Sequence, residues 1–334
     1  MFYFLCLTLC LAVMFLVLAV TSVLSIPLAQ FLERKLERAS ARNAANVLLV
    51  FRLFPFSLAV AVSVGLALPS FMEFEPPSTK EMVNWPLIVL AALGCVTLAL
   101  VAARALSIWR TTTFMQRQWL EHSHPVSDVA AGVPLYRIDS KASLLAVTGI
   151  FKPSVYVSRA VADALTEEEL SAALSHELAH VRSYDNLKQV LMKIMAPPEW
   201  FRGLQSTGEA WMRASEVAAD ERALAQGASA LELSSALIKV GRLSRASITA
   251  NNAENNMPGS LAASHLVPCR CSSATQTRAA HLRDLLENGT VMPPVQDSSR
   301  RKVVTAVALI VAAYLGCLAT LLPAVHEALE FLVR

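Results

Sequence analysis

The sequence predicts a multi-pass α-helical membrane protein with an α+β domain held between its third and fourth spans. Three observations predict this. Of the 334 residues 54% are hydrophobic and the mean hydropathy is +0.47, more apolar than an ordinary soluble domain sustains. The excess sits in four uncharged stretches, 1–32, 53–72, 82–103 and 303–325, each supplying the roughly 20 residues that a spanning helix needs. Between the last two lies a polar segment, 104–302, in which strand-like and helix-like periods alternate.

The first stretch reads as a retained anchor. Its first charge is Glu33, so it lacks the basic start of a secretory leader, and its apolar run is longer than a leader's. The bulky Leu9 before Cys10 argues against lipoprotein processing. A segment at 33–52 carries Arg34, Lys35, Arg38, Arg42 and Arg52, whereas 73–81 sets Lys80 against Glu73, Glu75 and Glu81. Arg104 and Arg110 follow the third stretch, and Arg300, Arg301 and Lys302 precede the fourth. Basic loops stay in the cytoplasm. The expected layout in a bacterial cytoplasmic membrane therefore has the N-terminus outside and the basic loop 33–52 inside. The loop 73–81 lies outside, the domain 104–302 inside, and the tail 326–334 outside.

The net charge of +3 belongs to this asymmetry and gives no reason to expect direct nucleic-acid binding. Cys6, Cys10, Cys95 and Cys317 fall in the apolar stretches, as small fillers. Cys269 and Cys271 form a C-x-C pair without a second pair nearby and read as two exposed thiols.

Within the domain, 134–138, 144–147 and 154–158 read as short strands, the last alternating at period two as Ser-Val-Tyr-Val-Ser. The polar run 116–125 reads as a linker, with His122 and His124 in a solvated turn. Thr166 followed by Glu169 is a capping box, and Glu167 and Glu168 suit the positive end of a helix. That helix carries His176-Glu177-Leu178-Ala179-His180. Residues i and i+4 share a helix face, so two imidazoles can hold one metal ion with Glu177 beside the open position as proton acceptor.

A second helical stretch at 186–195 is broken by Pro197 and Pro198. A third, 211–226, carries Glu216 and Asp220 one turn apart. A catalytic zinc site uses three protein ligands plus water, and Glu216 is the best third ligand. Asp220 can take the free N–H of a ligating histidine and fix its tautomer. The alternative is an exposed acidic face paired with Arg213 or Arg222. Residues 246–275 lack a period and read as a loop. Residues 277–287 read as a short amphipathic helix built on Ala280, Leu282, Leu285 and Leu286.

Three segments carry a resemblance: Leu165-Thr166-Glu167-Glu168-Glu169-Leu170, the run from Ser175 through His176, His180 and Asp185 to Asn186, and Glu216-Val217-Ala218-Ala219-Asp220. With the order of apolar stretches, they make the chain similar to the membrane metallopeptidases of the BlaR/MecR signal-transducer type, most closely over 134–225. The resemblance implies a cytosolic zincin-like (gluzincin) domain and one Zn2+ per chain, held by His176, His180 and Glu216. Glu177 would be the catalytic base, with Asp185 and Asp220 in supporting positions. It further implies a zinc metalloendopeptidase that acts in signal transduction on a protein substrate, either a BlaI/MecI-type transcriptional repressor or the enzyme itself. Oligomer formation stays open. In zincin-like folds an extended substrate adds to a sheet edge, and 154–158 is the expected edge. Tyr184, Arg182 and Arg222 are the candidates for stabilising an oxyanion.

The sequence departs from the family pattern in two places. Ala196-Pro197-Pro198-Glu199-Trp200-Phe201 stands where a Trp-Phe-Asn-Pro run is usual, and Ala219 stands where Cys is common. The sequence stops at Arg334, soon after the fourth stretch, so the penicillin-binding sensor of the antibiotic receptors is not expected here. Two other readings remain: a housekeeping membrane protease of the HtpX type, and a catalytically idle membrane scaffold. The intact Glu177 weighs against the scaffold.

Overall fold

The computed structural model describes residues 2–36, 39–76, 84–126, 132–139, 144–196, 205–253, 272–288 and 322–330. Three of its helices are long and apolar enough to cross a membrane. The first is α1, Phe2–Leu36. The second runs through α2 (Ala41–Val62), a π-helical turn at Ser63–Ala67 and α3 (Leu68–Phe74). The third is α4, Trp85–Glu121, whose start is capped by the Asn84 side chain accepting from the Leu87 N–H at 3.0 Å.

Lipid offers apolar helices no hydrophobic reason to associate, so close packing and small residues must hold them. That is what these helices show. A Cβ at Gly94 of α4 would stand 2.4 Å from the Leu11 carbonyl oxygen of α1, so the two backbones touch there. Leu9, Ala12, Phe71, Leu87 and Leu329 form the buried cluster around this contact. Ser63 Oγ donates to the Cys10 carbonyl at 2.7 Å, and Ser70 Oγ to that of Leu322 at 2.9 Å.

All three helices outrun the apolar stretches, α1 by one turn to Leu36 and the other two by more. Residues 41–52, expected as loop, are the first turns of α2. Their alanines favour helix, and Ala45 and Leu48 pack against Met192 and Trp211 of the domain. Residues 116–121, expected as linker, continue α4, and the Trp119 ring meets Tyr156 edge-on at 5.3 Å. Tertiary contacts, invisible to local polarity, extend both. The fourth apolar stretch lies outside the described residues up to 321, and 322–330 is helical. Cys269, Cys271, the basic group 300–302 and the 197–201 departure also lie outside them.

The sheet has four strands: β1 (Ser123–Pro125), β2 (Leu135–Ile138), β3 (Leu145–Thr148) and β4 (Ser154–Ser158). Their order is β1-β2-β4-β3. β2 runs parallel to β4, and the other pairs are antiparallel. The expected edge is therefore wrong. β4 is interior, with Val155 opposite both Leu135 and Val147. Its run Val155, Tyr156 and Val157 is buried throughout, as suits a strand covered on both faces. β3 is the edge strand nearest it, and β1, expected as linker and turn, is the other. The turn from β3 to β4 uses Gly149 at φ +99°, where a Cβ would meet the Lys152 carbonyl at 2.4 Å.

Six helices complete the domain among the described residues: α5 (Arg159–Ala164), α6 (Glu167–Ser183), α7 (Asp185–Ile194), α8 (Gln205–Ala225), α9 (Ala230–Ala253) and α10 (Ser272–Asn288). Residues 246–253, expected as loop, close α9. The core joins Val155, Val157, Val161, Leu178 and Ala236. The capping box is present: the Glu169 N–H reaches Thr166 Oγ1 at 3.3 Å, and the Thr166 N–H reaches Glu169 Oε2 at 2.9 Å. Glu169 also accepts from Lys239 Nζ at 2.6 Å and Ser235 Oγ at 2.5 Å, both on α9.

Two outcomes test this framework. Gly94→Val forces α1 and α4 apart and should cost about 1–3 kcal/mol, read as an earlier unfolding midpoint of the full chain in detergent. The bonds from Lys239, Ser235 and the Thr166 N–H hold the Glu169 carboxyl down to about 2. A lowered carboxylate contributes stability above its unfolded value near ~4.3 and loses it as pH falls towards the folded one. Melting temperatures of wild type and Glu169→Gln should therefore differ at neutral pH and converge between pH 4 and 2.

Candidate metal centre

α6 supplies His176, Glu177 and His180, all buried. α8 supplies Glu216 and Asp220, buried as well. Small buried residues, Ala172 and Ala179 on α6 with Ala219 and Ala223 on α8, let the two helices lie close. The exposed acidic face expected as an alternative is thereby excluded.

The three candidate ligand groups converge. His176 Nε2 is 3.2 Å from His180 Nε2. Glu216 Oε2 is 3.5 Å from the first imidazole nitrogen, and Glu216 Oε1 is 3.6 Å from the second. An ion with bonds of about 2.0–2.1 Å in tetrahedral geometry separates its ligand atoms by roughly 3.3–3.5 Å. The separations are of that size, with the two oxygens of Glu216 facing one imidazole each. One atom from each residue lies within 4.8 Å of the others, and the group could hold a metal ion.

The outer nitrogens of both imidazoles are held by carboxylates. His176 Nδ1 lies 2.7 Å from Asp220 Oδ1, and His180 Nδ1 lies 2.8 Å from Asp185 Oδ2. Each bond turns a ring's Nε2 towards the centre. Asp185 reaches His180 because of a break in the chain. Five residues along one helix turn a side chain about 140° away. Tyr184 instead adopts the left-handed conformation, φ 56° and ψ 35°, ending α6 and starting α7 at once. Asp185 then opens α7 and folds back, its other oxygen paired with Lys188 at 3.1 Å.

Glu177 is on the same face, and its Oε2 is buried with no hydrogen-bond partner among the described residues. Burial pushes its carboxyl up against the pull of His176 and His180, which suits a group that takes and returns a proton. Burial and the Arg278 charge push His176 down, but Asp220 and Glu216 outweigh them and raise it to about 9. Burial likewise opposes ionisation of Glu216, yet the imidazoles and Arg278 hold it down to about 2. Each of these two groups is thus held in its charged form by partners of the opposite sign.

One functional neighbour escaped the sequence reading. Arg278 of α10 donates from Nε to Asp220 Oδ2 at 2.8 Å and from an Nη to Oδ1 at 2.7 Å. Its other Nη pairs with Glu216 Oε2 at 3.3 Å. The signal was present: Arg278 stands one turn before Leu282, the most buried residue of α10, so a charge occupied the apolar face. The expected oxyanion candidates lie elsewhere. Arg222 donates to Ala179 O and Ser183 Oγ at the end of α6, Arg182 to Gln226 Oε1, and Tyr184 is exposed.

Long apolar helices bearing a domain with a buried His–His–Glu cluster define a class, membrane proteins with a centre able to hold a metal ion. The chain belongs to the BlaR1 peptidase M56 family, whose profile matches residues 13–260. It is thus a membrane-bound peptidase of the BlaR/MecR kind, and the matched region contains all six expected site residues. No curated protein matches the chain significantly.

The ligand set has a direct test. Glu216→Ala should lose bound zinc at least as completely as Asp220→Ala. Asp220→Ala and Asp185→Asn, which leave the three inner groups in place, should each weaken zinc by roughly 10- to 100-fold. Metal analysis of the purified chain with chelator competition reads both.

Proposed function

We propose that the chain is a zinc-dependent endopeptidase that hydrolyses a protein substrate at the cytoplasmic side of the membrane. The observation that carries this reading is the convergence of three buried groups: the two imidazole Nε2 atoms lie 3.2 Å apart, and the two oxygens of Glu216 face one each, at 3.5 and 3.6 Å. Two histidines and one carboxylate with an open fourth position are the donor set of a catalytic zinc site. When bound, zinc lowers the pKa of a water to about 7 and polarises a peptide carbonyl.

The chain's own residues do the rest. Glu177 takes the proton of the attacking water and returns it to the leaving amine. Burial raises its affinity for protons, the direction that suits a group accepting one. Asp185 and Asp220 hold both histidines in the tautomer that leaves Nε2 free. Asn186 Nδ2 donates to Val147 O at 3.4 Å and Gly149 O at 3.2 Å, tying edge strand β3 to the helix turn beside the centre. A substrate strand adding to the sheet would add along β3.

The basic residues flanking the apolar stretches support a cytoplasmic domain. Membership of the BlaR1 peptidase family supports a role in signal transduction, with a transcriptional repressor or the enzyme itself as the cleaved chain. Glu177→Gln removes the proton acceptor and leaves the ligands intact. It should retain zinc while lowering cleavage by at least 100-fold. Cytoplasmic proteomics of wild type against Glu177→Gln should then reveal one protein whose cleavage disappears; unchanged cleavage with zinc retained would defeat the catalytic assignment.

A further inference from the structure

We infer that Arg278 is a positioning residue of the metal centre, so that α10, which lies beyond the family-matched region, completes a site otherwise built from α6, α7 and α8. The inference rests on the zinc reading above. Three observations lead to it. The guanidinium is nearly buried, with 13% of the side chain exposed. It grips Asp220 with two hydrogen bonds, at 2.8 and 2.7 Å, and such a bidentate grip fixes the plane of a carboxylate as well as its charge. It also faces two of the candidate ligands, with one Nη 3.3 Å from Glu216 Oε2 and the other 3.3 Å from His176 Nδ1.

The consequences follow from geometry. Asp220 Oδ1 is shared between Arg278 and His176 Nδ1, so the arginine sets the ring of His176 through one intervening carboxylate. Arg278 also faces Oε2 of Glu216, while Oε1 lies 3.6 Å from His180 Nε2, so the guanidinium would share the Glu216 carboxylate with a bound ion and help fix its orientation. Charge counting agrees. Glu177, Asp185, Glu216 and Asp220 carry four negative charges when ionised. Arg278 and Lys188 meet two of them, and a divalent ion beside neutral imidazoles meets the rest. Asp220 is fully buried, and an unmatched buried carboxylate is strongly unfavourable. Leu282, packed with Ala172, Ala223 and Leu233, seats α10 so that Arg278, one turn earlier, reaches the centre.

Lysine keeps the charge but cannot grip a carboxylate bidentately, so it separates charge from orientation. The test uses the full chain in detergent with Arg278→Ala, Arg278→Lys, Asp220→Asn and the double variant Asp220→Asn/Arg278→Ala. Readouts are zinc affinity by chelator competition, the visible absorption of the cobalt(II)-loaded protein, and the melting temperature of the metal-free protein.

Arg278→Ala should weaken zinc by roughly 10- to 100-fold and change the cobalt spectrum. Arg278→Lys should regain part of the affinity but keep an altered spectrum. In the Asp220→Asn background, Arg278→Ala should add little. Wild-type affinity and spectrum in Arg278→Ala would overturn the inference, as would a loss in the double variant equal to the sum of the single losses. If Arg278→Ala does not fold, Arg278→Lys decides: a wild-type cobalt spectrum would overturn it. A wild-type chain that binds no zinc would defeat the zinc reading itself, a result distinct from all of these.

Discussion

The structure is organised around one constraint, that four carboxylates, two imidazoles and a guanidinium are buried together between α6, α7, α8 and α10. Charges removed from water must be paired and hydrogen-bonded, and leaving one without its partner is strongly destabilising. Apart from Glu177, whose Oε2 has no partner among the described residues, the local features near the centre answer that demand. Alanines bring α8 onto α6, the left-handed Tyr184 returns Asp185 to His180, and α10 delivers Arg278 to Asp220. Even the start of α6 is fixed by a buried charge, since Glu169 closes the capping box and meets Lys239 of α9.

This explains why the inner site was legible in the sequence and its surroundings less so. His176, Glu177 and His180 lie on one helix at fixed spacing, so local periodicity suffices to bring them together. Glu216 and Asp220 were found because they repeat that spacing on a second helix. Asp185 came from resemblance, because a five-residue separation from His180 carries no helical signal until Tyr184 breaks the helix. Arg278 is 58 residues from Asp220, and only its place on the apolar face of α10 betrayed it. The edge strand was misread because a half-buried alternating strand and a fully buried one differ little over five residues. Strand order is a long-range property.

The long helices teach the same lesson about boundaries. Hydropathy located the three described apolar stretches but not the helix ends, since Ala41 and Glu121 lie beyond any apolar run. Packing sets those ends. Trp211 of α8 and Met192 of α7 cover Ala45 and Leu48 on α2, and Tyr156 of the sheet meets Trp119 on α4.

The domain is therefore not tethered to its apolar helices by loops alone but rests on continuous helical extensions of two of them. The residue that seats α8 on α2, Trp211, is five positions before Glu216 on a helix with a rise of about 1.5 Å per residue. Between them the backbone is hydrogen-bonded and stiff, so the carboxylate's position is referred to α2 over a distance of about 7.5 Å. His176 and His180 sit on α6, packed between the sheet and α9. The triangle of candidate ligands thus spans a joint: two corners belong to the domain core, and the third is borne by a helix clamped to a long apolar helix. The two oxygens of Glu216 keep their 3.5 and 3.6 Å distances to the imidazoles only while both supports hold their relation.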